Sequence, residues 1–282
     1  MHIAVTGATG QLGRLVISKF KENFPPHQIV ALVRNTVNAA DLGVEVREAN
    51  YDVAETMERA LVGIKTLLLI SSSEIGKRIA QHENVINAAK QAGVQRIVFT
   101  SLLHADTSPL SLAPEDIAAE NALKASGLPY TILRNGAYTE NYTASVPNAV
   151  QAGELVGCAG AGRISSATRA DLAEAAVVVL TGSGHDGKMY ELAGDEAHTL
   201  ADLAAEISKQ TGKEVPYRNL SKDEYADFLK DVGLPEEYAK TLASFDAAAA
   251  TGALYEDKRQ LSALIGHPTC SLSKAVADAL GK

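Results

Sequence analysis

His2-Ile3-Ala4-Val5-Thr6-Gly7-Ala8-Thr9-Gly10-Gln11-Leu12-Gly13 decides how this chain is read. An apolar strand passes directly into a loop with glycines at 7, 10 and 13, and an apolar-periodic run over 15–20 continues it as a helix. The backbone N–H groups of such a loop, backed by a helix N-terminus, form a cradle for an anionic group. In the spacing G-x-x-G-x-x-G, Gly7 serves the tight turn, Gly10 lets a pyrophosphate come close, and Gly13 lets the helix lie on the strand. Ordinary strand-to-helix turns also carry glycines. The strand before and the helix after are the context that favours a dinucleotide loop.

Moving outward, the apolar run 28–33 reads as a second strand and ends at Arg34. In a dinucleotide fold the residue closing this strand faces the adenosine ribose, where an acid accepts from the 2′-hydroxyl of NAD. Arg34 supplies a cation with a planar fork of donors, suited to a 2′-phosphate. A solvated arginine at a strand end is the plainer alternative. With the glycines upstream, NADPH is the expected cofactor. The alternating run 44–49 reads as an edge strand and a helix over 54–61 follows; Asp52 between them is read as a helix N-cap or as an adenine contact. The run 66–70 is the most apolar strand, as a buried parallel sheet requires, and passes into Ser71, Ser72 and Ser73, which read as lining the cofactor channel or as a plain polar loop.

A helix over 81–91, a strand over 96–100 followed by Ser101 and His104, a helix over 113–126 and a strand over 130–134 complete six strands alternating with helices. That pattern predicts an α/β fold, a Rossmann-type doubly wound parallel sheet. Beyond it, a helix over 171–180, a strand over 189–192 and helices over 200–210, 222–232, 235–250 and 272–280 suggest a smaller, helix-rich C-terminal domain. The expected division is 1–150 for nucleotide binding and 151–282 for the acceptor-side wall, with the chain crossing back to the sheet around 164–192.

The chain has 282 residues, 46% hydrophobic and 21% charged, with a formal net charge of −8. Scattered basic residues and net negative charge argue against a nucleic-acid surface. No apolar run is long enough to span a bilayer and no signal sequence is evident, so a cytoplasmic protein is expected. The two cysteines, Cys158 and Cys270, lack metal-ligand spacing and read as reduced packing residues.

Several further segments bear a resemblance. Val5 to Gly13, Leu67 to Glu74, Thr100 to Pro109, Leu133-Arg134-Asn135-Gly136 with Glu140-Asn141-Tyr142, Ser166 to Asp171 and Leu264 to Thr269 are together similar to the NmrA-like branch of the atypical short-chain dehydrogenases, and within it to the bacterial flavin-free NADPH-dependent quinone oxidoreductases. The triphenylmethane-dye reductases are similar in the same places, less so over 71–105. The resemblance implies that NADPH lies along Thr6, Gly7, Ala8, Thr9, Gly10, Gln11, Leu12 and Gly13 with its 2′-phosphate at Arg34. It implies further that Ser71 to Ser73, and Asn135, Gly136, Ala137, Tyr138, Thr139 and Glu140, flank the nicotinamide half, with Arg169 contributing from the later segment.

Short-chain dehydrogenases acting on alcohols use Tyr-x-x-x-Lys, in which the lysine eases proton transfer by the phenol. No tyrosine here has a lysine four residues on, and the two positions fall on Leu112 and Asp116. Quinones fit that absence, because a hydroquinone anion can be protonated by water once a hydride has been delivered. The expected activity is therefore direct two-electron hydride transfer from nicotinamide to a small-molecule quinone without flavin or metal. His104, Asn135, Tyr138 and Asn141 are the candidates to orient the ring, and His104 is the one able to give a proton. Two other readings are an NmrA-like NADP(H)-binding redox sensor acting through a protein partner, and a triphenylmethane or azo dye reductase. A homodimer is the candidate assembly.

Overall fold

The computed structural model describes residues 2–282. In chain order the elements are β1 (Ile3–Val5), α1 (Gln11–Asn23), β2 (Ile29–Val33), β3 (Glu45–Glu48), α2 (Ala54–Ala60), β4 (Thr66–Leu69), α3 (Arg78–Gln91), β5 (Arg96–Leu102), α4 (Ala113–Ala125) and β6 (Tyr130–Asn135). There follow α5 (Thr139–Thr143), α6 (Val146–Ala152), β7 (Leu155–Gly157), α7 (Arg169–Thr181), β8 (Lys188–Leu192), α8 (Leu200–Thr211), β9 (Tyr217–Asn219), α9 (Lys222–Asp231), α10 (Glu236–Ala249), α11 (Gln260–Ile265) and α12 (Leu272–Ala279).

Two compact units divide the chain, interleaved in sequence. The first runs through Thr107 and takes in Ser111–Asn135 and Arg169–Leu192; the second comprises Ser108–Leu110, Gly136–Thr168 and Ala193–Lys282. The chain thus leaves the first unit after Asn135 and re-enters it for α7 and β8. The break comes before residue 150 because the Asn135 end of β6 is the last sheet backbone before the chain departs.

The first unit is a seven-stranded sheet in the order β3-β2-β1-β4-β5-β6-β8, every neighbouring pair parallel. This is the expected doubly wound sheet, with a seventh strand placed beside β6. All residues of β1, β2 and β4 are buried, while β3 at the edge is not, which is why the inner strands read as unbroken apolar runs and β3 as an alternating one. One face packs Leu67, Leu69, Ile97, Phe99 and Ile132 against Met57, Val85, Ala89 and Leu123 from α2, α3 and α4. Successive strands move one way from β1 to β3 and the other way from β4 onward. The order reverses between β1 and β4, where the crevice of an open α/β sheet lies.

The second unit is rich in helices and holds one short parallel pair, β7 with β9. Thr199 with Asp202 and Ser221 with Glu224 form capping boxes that fix the starts of α8 and α9. Cys158 is buried there against Ala226 and Ala243, with Asp246 accepting the Cys158 N–H at 3.2 Å; burial raises the Asp246 carboxyl to about 6 and the Cys158 thiol to about 12.

The far end of the sheet is held by buried charge. Arg134 Nε and Nη2 donate to the two carboxylate oxygens of Glu120 at 2.8 and 2.9 Å, and its Nη1 reaches Glu191 at 2.9 Å and Asp106 at 2.8 Å. Ser101 adds a hydroxyl donor to Glu120 at 2.7 Å. Burial pushes the Glu120 carboxyl up, but the bonds from Arg134 and Ser101 outweigh it and hold the group below its ordinary range. Removing one side of such a pair leaves the other charge stranded, so Glu120→Ala should destabilise the protein by about 3 kcal/mol in urea denaturation; a loss below about 1 kcal/mol would mean that Glu191 and Asp106 suffice for Arg134.

Candidate functional site

Thr6 fixes the point where the sheet reverses. Its hydroxyl donates to the Leu68 carbonyl at 3.2 Å and accepts the Ile70 N–H at 2.9 Å, tying the end of β1 to the end of β4. Immediately after it the chain turns at Gly7, whose φ of +58° suits glycine. The Gly10 N–H returns to the Gly7 carbonyl at 2.9 Å, and α1 starts at Gln11 with the Arg14 N–H bonded to the Gly10 carbonyl. A Cβ on Gly13 would lie 2.4 Å from the Gly7 carbonyl oxygen and 2.8 Å from Ala8 Cα, so only glycine lets the helix close on the loop. Gly10 has room for a Cβ only at 3.1 Å from the same oxygen.

The ends of four strands converge on one pocket of about 330 Å³. Gly7, Thr9 and Gly10 come from the loop after β1, Arg34 from the end of β2, Ala49, Asn50 and Tyr51 from the end of β3, and Ile70, Ser71, Ser72, Ser73 and Glu74 from the end of β4. Thr6, Ala8 and Leu12 do not line it; they are buried beneath the loop and shape it. Tyr51 donates its hydroxyl to the Ile70 carbonyl at 2.8 Å, and burial raises its pKa far above the ordinary phenol value. It is a fixed wall. Asp52 is not the cap of α2, since that position falls on Val53; instead it accepts from the Gln81 amide at 3.0 Å.

Arg34 stands at the pocket rim with its side chain 70% exposed, its Nη1 on Glu74 Oε1 at 2.8 Å. Behind the rim, the serine run is held from below. The Ser71 N–H donates to Thr100 Oγ1 and the Ser72 N–H to His82 Nε2, each at 3.0 Å. Arg78 donates to Ser71 Oγ and, at 2.5 Å, to Asp116, both charges being buried. Asp116, the residue standing where a catalytic lysine would sit, is therefore the anchor of Arg78. Burial raises its carboxyl to about 6 against the opposing pull of Arg78.

At the end of β6, Asn135 Oδ1 is buried with no hydrogen-bond partner among the described residues. Such an acceptor has room for a donor, from a water or a ligand. His104 lies in the turn after β5 at φ +52°, its N–H bonded to Glu191 Oε2 at 2.9 Å and its Nδ1 3.8 Å from the same oxygen. The left-handed backbone of a non-glycine residue is thus held by the carboxylate that also binds Arg134. Arg169 opens α7 in the first unit. Gly136, Ala137, Tyr138, Thr139, Glu140 and Asn141 belong to the second unit. There Tyr138 precedes α5, Thr139 Oγ1 lies 3.0 Å from Ser166 Oγ, and the Thr139 N–H and Ala137 carbonyl pair with Ala167.

The NmrA-like family profile matches residues 1–277. Quinone oxidoreductase 2 of Escherichia coli (strain K12) is 55% identical over 278 residues, 98% of this chain and 97% of that protein. The chain belongs to the NmrA-like family. Within it, the crystal structure of NADPH-dependent quinone oxidoreductase from E. coli complexed with NADPH superposes with a TM-score of 0.96 at 54% identity, covering 99% of both chains. Triphenylmethane reductase from Citrobacter sp. complexed with NADP(H) gives 0.95 at 38% identity over 98% of this chain and 99% of that one.

Sequence reasoning missed Glu74, Tyr51 and His82 as parts of this site. Glu74 and Tyr51 were visible as the residues following two strand ends, where the crevice forms; His82 gave no signal, since its role is set by a backbone N–H ten residues earlier. Burial first, and Arg78 second, lower the His82 pKa to about 3. The unfolded imidazole takes a proton near pH 6.5, so the neutral native ring contributes stability that is complete above that pH and is lost as pH falls toward 3. At pH 5 the loss amounts to about 2 kcal/mol. His82→Gln should reduce the drop in urea midpoint between pH 7.5 and pH 5; an unaltered drop would show that other groups account for it.

Proposed function

We propose that this chain is a flavin-free NADPH-dependent quinone oxidoreductase. The observation that carries the reading is the single pocket in which the glycine loop, Arg34 and the serine run meet at the strand-order reversal. Bound NADPH would supply a hydride from its nicotinamide ring. The loop N–H groups and the N-terminus of α1 would hold its pyrophosphate, and the Arg34 fork its 2′-phosphate. Ala49, Tyr51 and Ile70 offer the apolar wall that a base requires, and Ser71 to Ser73 offer hydroxyls along the channel. Asn135, with its unpaired carbonyl oxygen, is suited to accept from a carboxamide.

The residues fit the cofactor on three counts: a helix N-terminus that closes on the glycine loop only because residue 13 carries no Cβ, a rim cation, and an orphaned buried acceptor. No tyrosine–lysine pair is available to move a proton, as Leu112 and Asp116 stand in those places and Asp116 is committed to Arg78. An acceptor that takes a hydride and is then protonated by water suits this chain. We assign His104 the orienting of that acceptor, on the strength of its fixed position beside Glu191. Among the described residues neither Cys158 nor Cys270 is in a disulfide, in keeping with a cytoplasmic location.

Stopped-flow oxidation of NADPH by a simple benzoquinone, on protein shown to be free of flavin, tests the activity. Turnover well above the uncatalysed rate is expected, and its absence would leave a dinucleotide-binding sensor. In the same assay Arg34→Asp should raise the KM for NADPH by about 10-fold or more while changing that for NADH little. Equal use of both cofactors by the unmutated protein would contradict the role given to Arg34.

A further inference from the structure

The rim of the pocket carries one negative side chain between two positive ones. Glu74 Oε1 receives Arg34 Nη1 at 2.8 Å, and Glu74 Oε2 receives Lys77 Nζ at 3.1 Å. Both cations are mostly exposed, 70% for Arg34 and 63% for Lys77, and Glu74 is 30% exposed. Resting on the assignment of Arg34 to the 2′-phosphate, we infer that Lys77 is a second cation of that subsite and that Glu74 is a built-in competitor for it, an anion that occupies both cations until a phosphate displaces it.

The loop carrying the pair is held in place for this. The Glu74 N–H bonds to Ser72 Oγ at 3.1 Å, the Lys77 N–H to the Glu74 carbonyl at 3.1 Å, and the Gly76 N–H to the buried Glu115 carboxylate at 3.0 Å. Gly76, at φ +87°, makes the turn that brings Lys77 back to the carboxylate of Glu74. The backbone that carries Glu74 and Lys77 is therefore fixed at the rim, and Glu74 lines the pocket itself.

Magnitudes decide the direction of the effect. An exposed ion pair is weak, screened by water and by salt. A phosphate monoester carries close to two charges and engages a guanidinium through two parallel bonds, so it wins the competition for Arg34. The displaced carboxylate remains on the same short loop, where it repels the incoming anion. The expense falls only on a cofactor that bears the 2′-phosphate, because a ribose with a free 2′-hydroxyl leaves the Arg34–Glu74–Lys77 arrangement undisturbed. Glu74 thus narrows the preference that Arg34 creates, and Lys77 widens it.

Adenosine 2′,5′-bisphosphate and adenosine 5′-monophosphate, which differ only in that phosphate, are the probes. Titration calorimetry of both on the full chain should show Glu74→Gln binding the bisphosphate about three to ten times more tightly and Lys77→Met binding it more weakly by a similar factor, with the monophosphate changed less than about twofold in each. Unaltered monophosphate binding also shows that the variants keep the pocket folded. Bisphosphate affinity that is unchanged or loosened in Glu74→Gln, or a parallel shift for both nucleotides, would overturn the inference while leaving Arg34 in its role. If the unmutated protein itself failed to distinguish the two nucleotides, the assignment of Arg34 would fall first and this inference with it.

Discussion

The close approach of α1 to the loop before it is the constraint on which the rest of the structure depends. A Cβ at residue 13 would stand 2.4 Å from the Gly7 carbonyl oxygen, inside any tolerable contact distance. With glycine there, the helix N-terminus and the loop N–H groups share one small volume at the carboxyl ends of β1 and β4. Helix dipole and unsatisfied donors then add at a single point. Thr6 secures that point by bonding across to both Leu68 and Ile70, so the cradle is fixed to the two central strands rather than to a mobile segment.

Two buried guanidinium networks support the crevice in different ways. Arg134 satisfies Glu120, Glu191 and Asp106 together and knits β5, β6 and β8, fixing the His104 turn through the Glu191 carboxylate. Arg78 spans Asp116 and Ser71, so the run after β4 is set from below by α3 and α4. Each desolvated charge carries a penalty, and a hydrophobic replacement of the whole set could be as stable. What the charges add is position: Arg78 fixes Ser71 at the end of β4, and Glu191 fixes the backbone of His104. Asp116, read from the sequence as the place of the dyad lysine, serves here as the anchor of Arg78.

The fold was largely legible from residues 2–13 and from the alternation of short apolar runs with helices, because parallel strands buried on both faces leave an unbroken apolar signal. The edge strand β3 was legible for the opposite reason, its alternation. Harder to see were α5, α6, β7, β9 and α11, all short and held by neighbours distant in sequence: β7 pairs with β9 some sixty residues on, and no local pattern encodes that. The helix α3 begins at Arg78, ahead of the expected 81, because its first turn is fixed by the buried Arg78 and not by an apolar residue. At the site, Arg34, the glycines and the serine run were readable from their places at strand ends. Glu74 was in view but silent: its meaning depends on the two cations it meets, and a sequence does not show which charges face each other across a turn.

The position of a bound dinucleotide tests the glycine loop most directly. A crystal structure of the protein grown with NADPH should place the pyrophosphate against the backbone of residues 7–13 at the start of α1, with the adenosine 2′-phosphate on the Arg34 guanidinium. A nucleotide bound elsewhere on the chain, or one whose pyrophosphate avoids that loop, would contradict it.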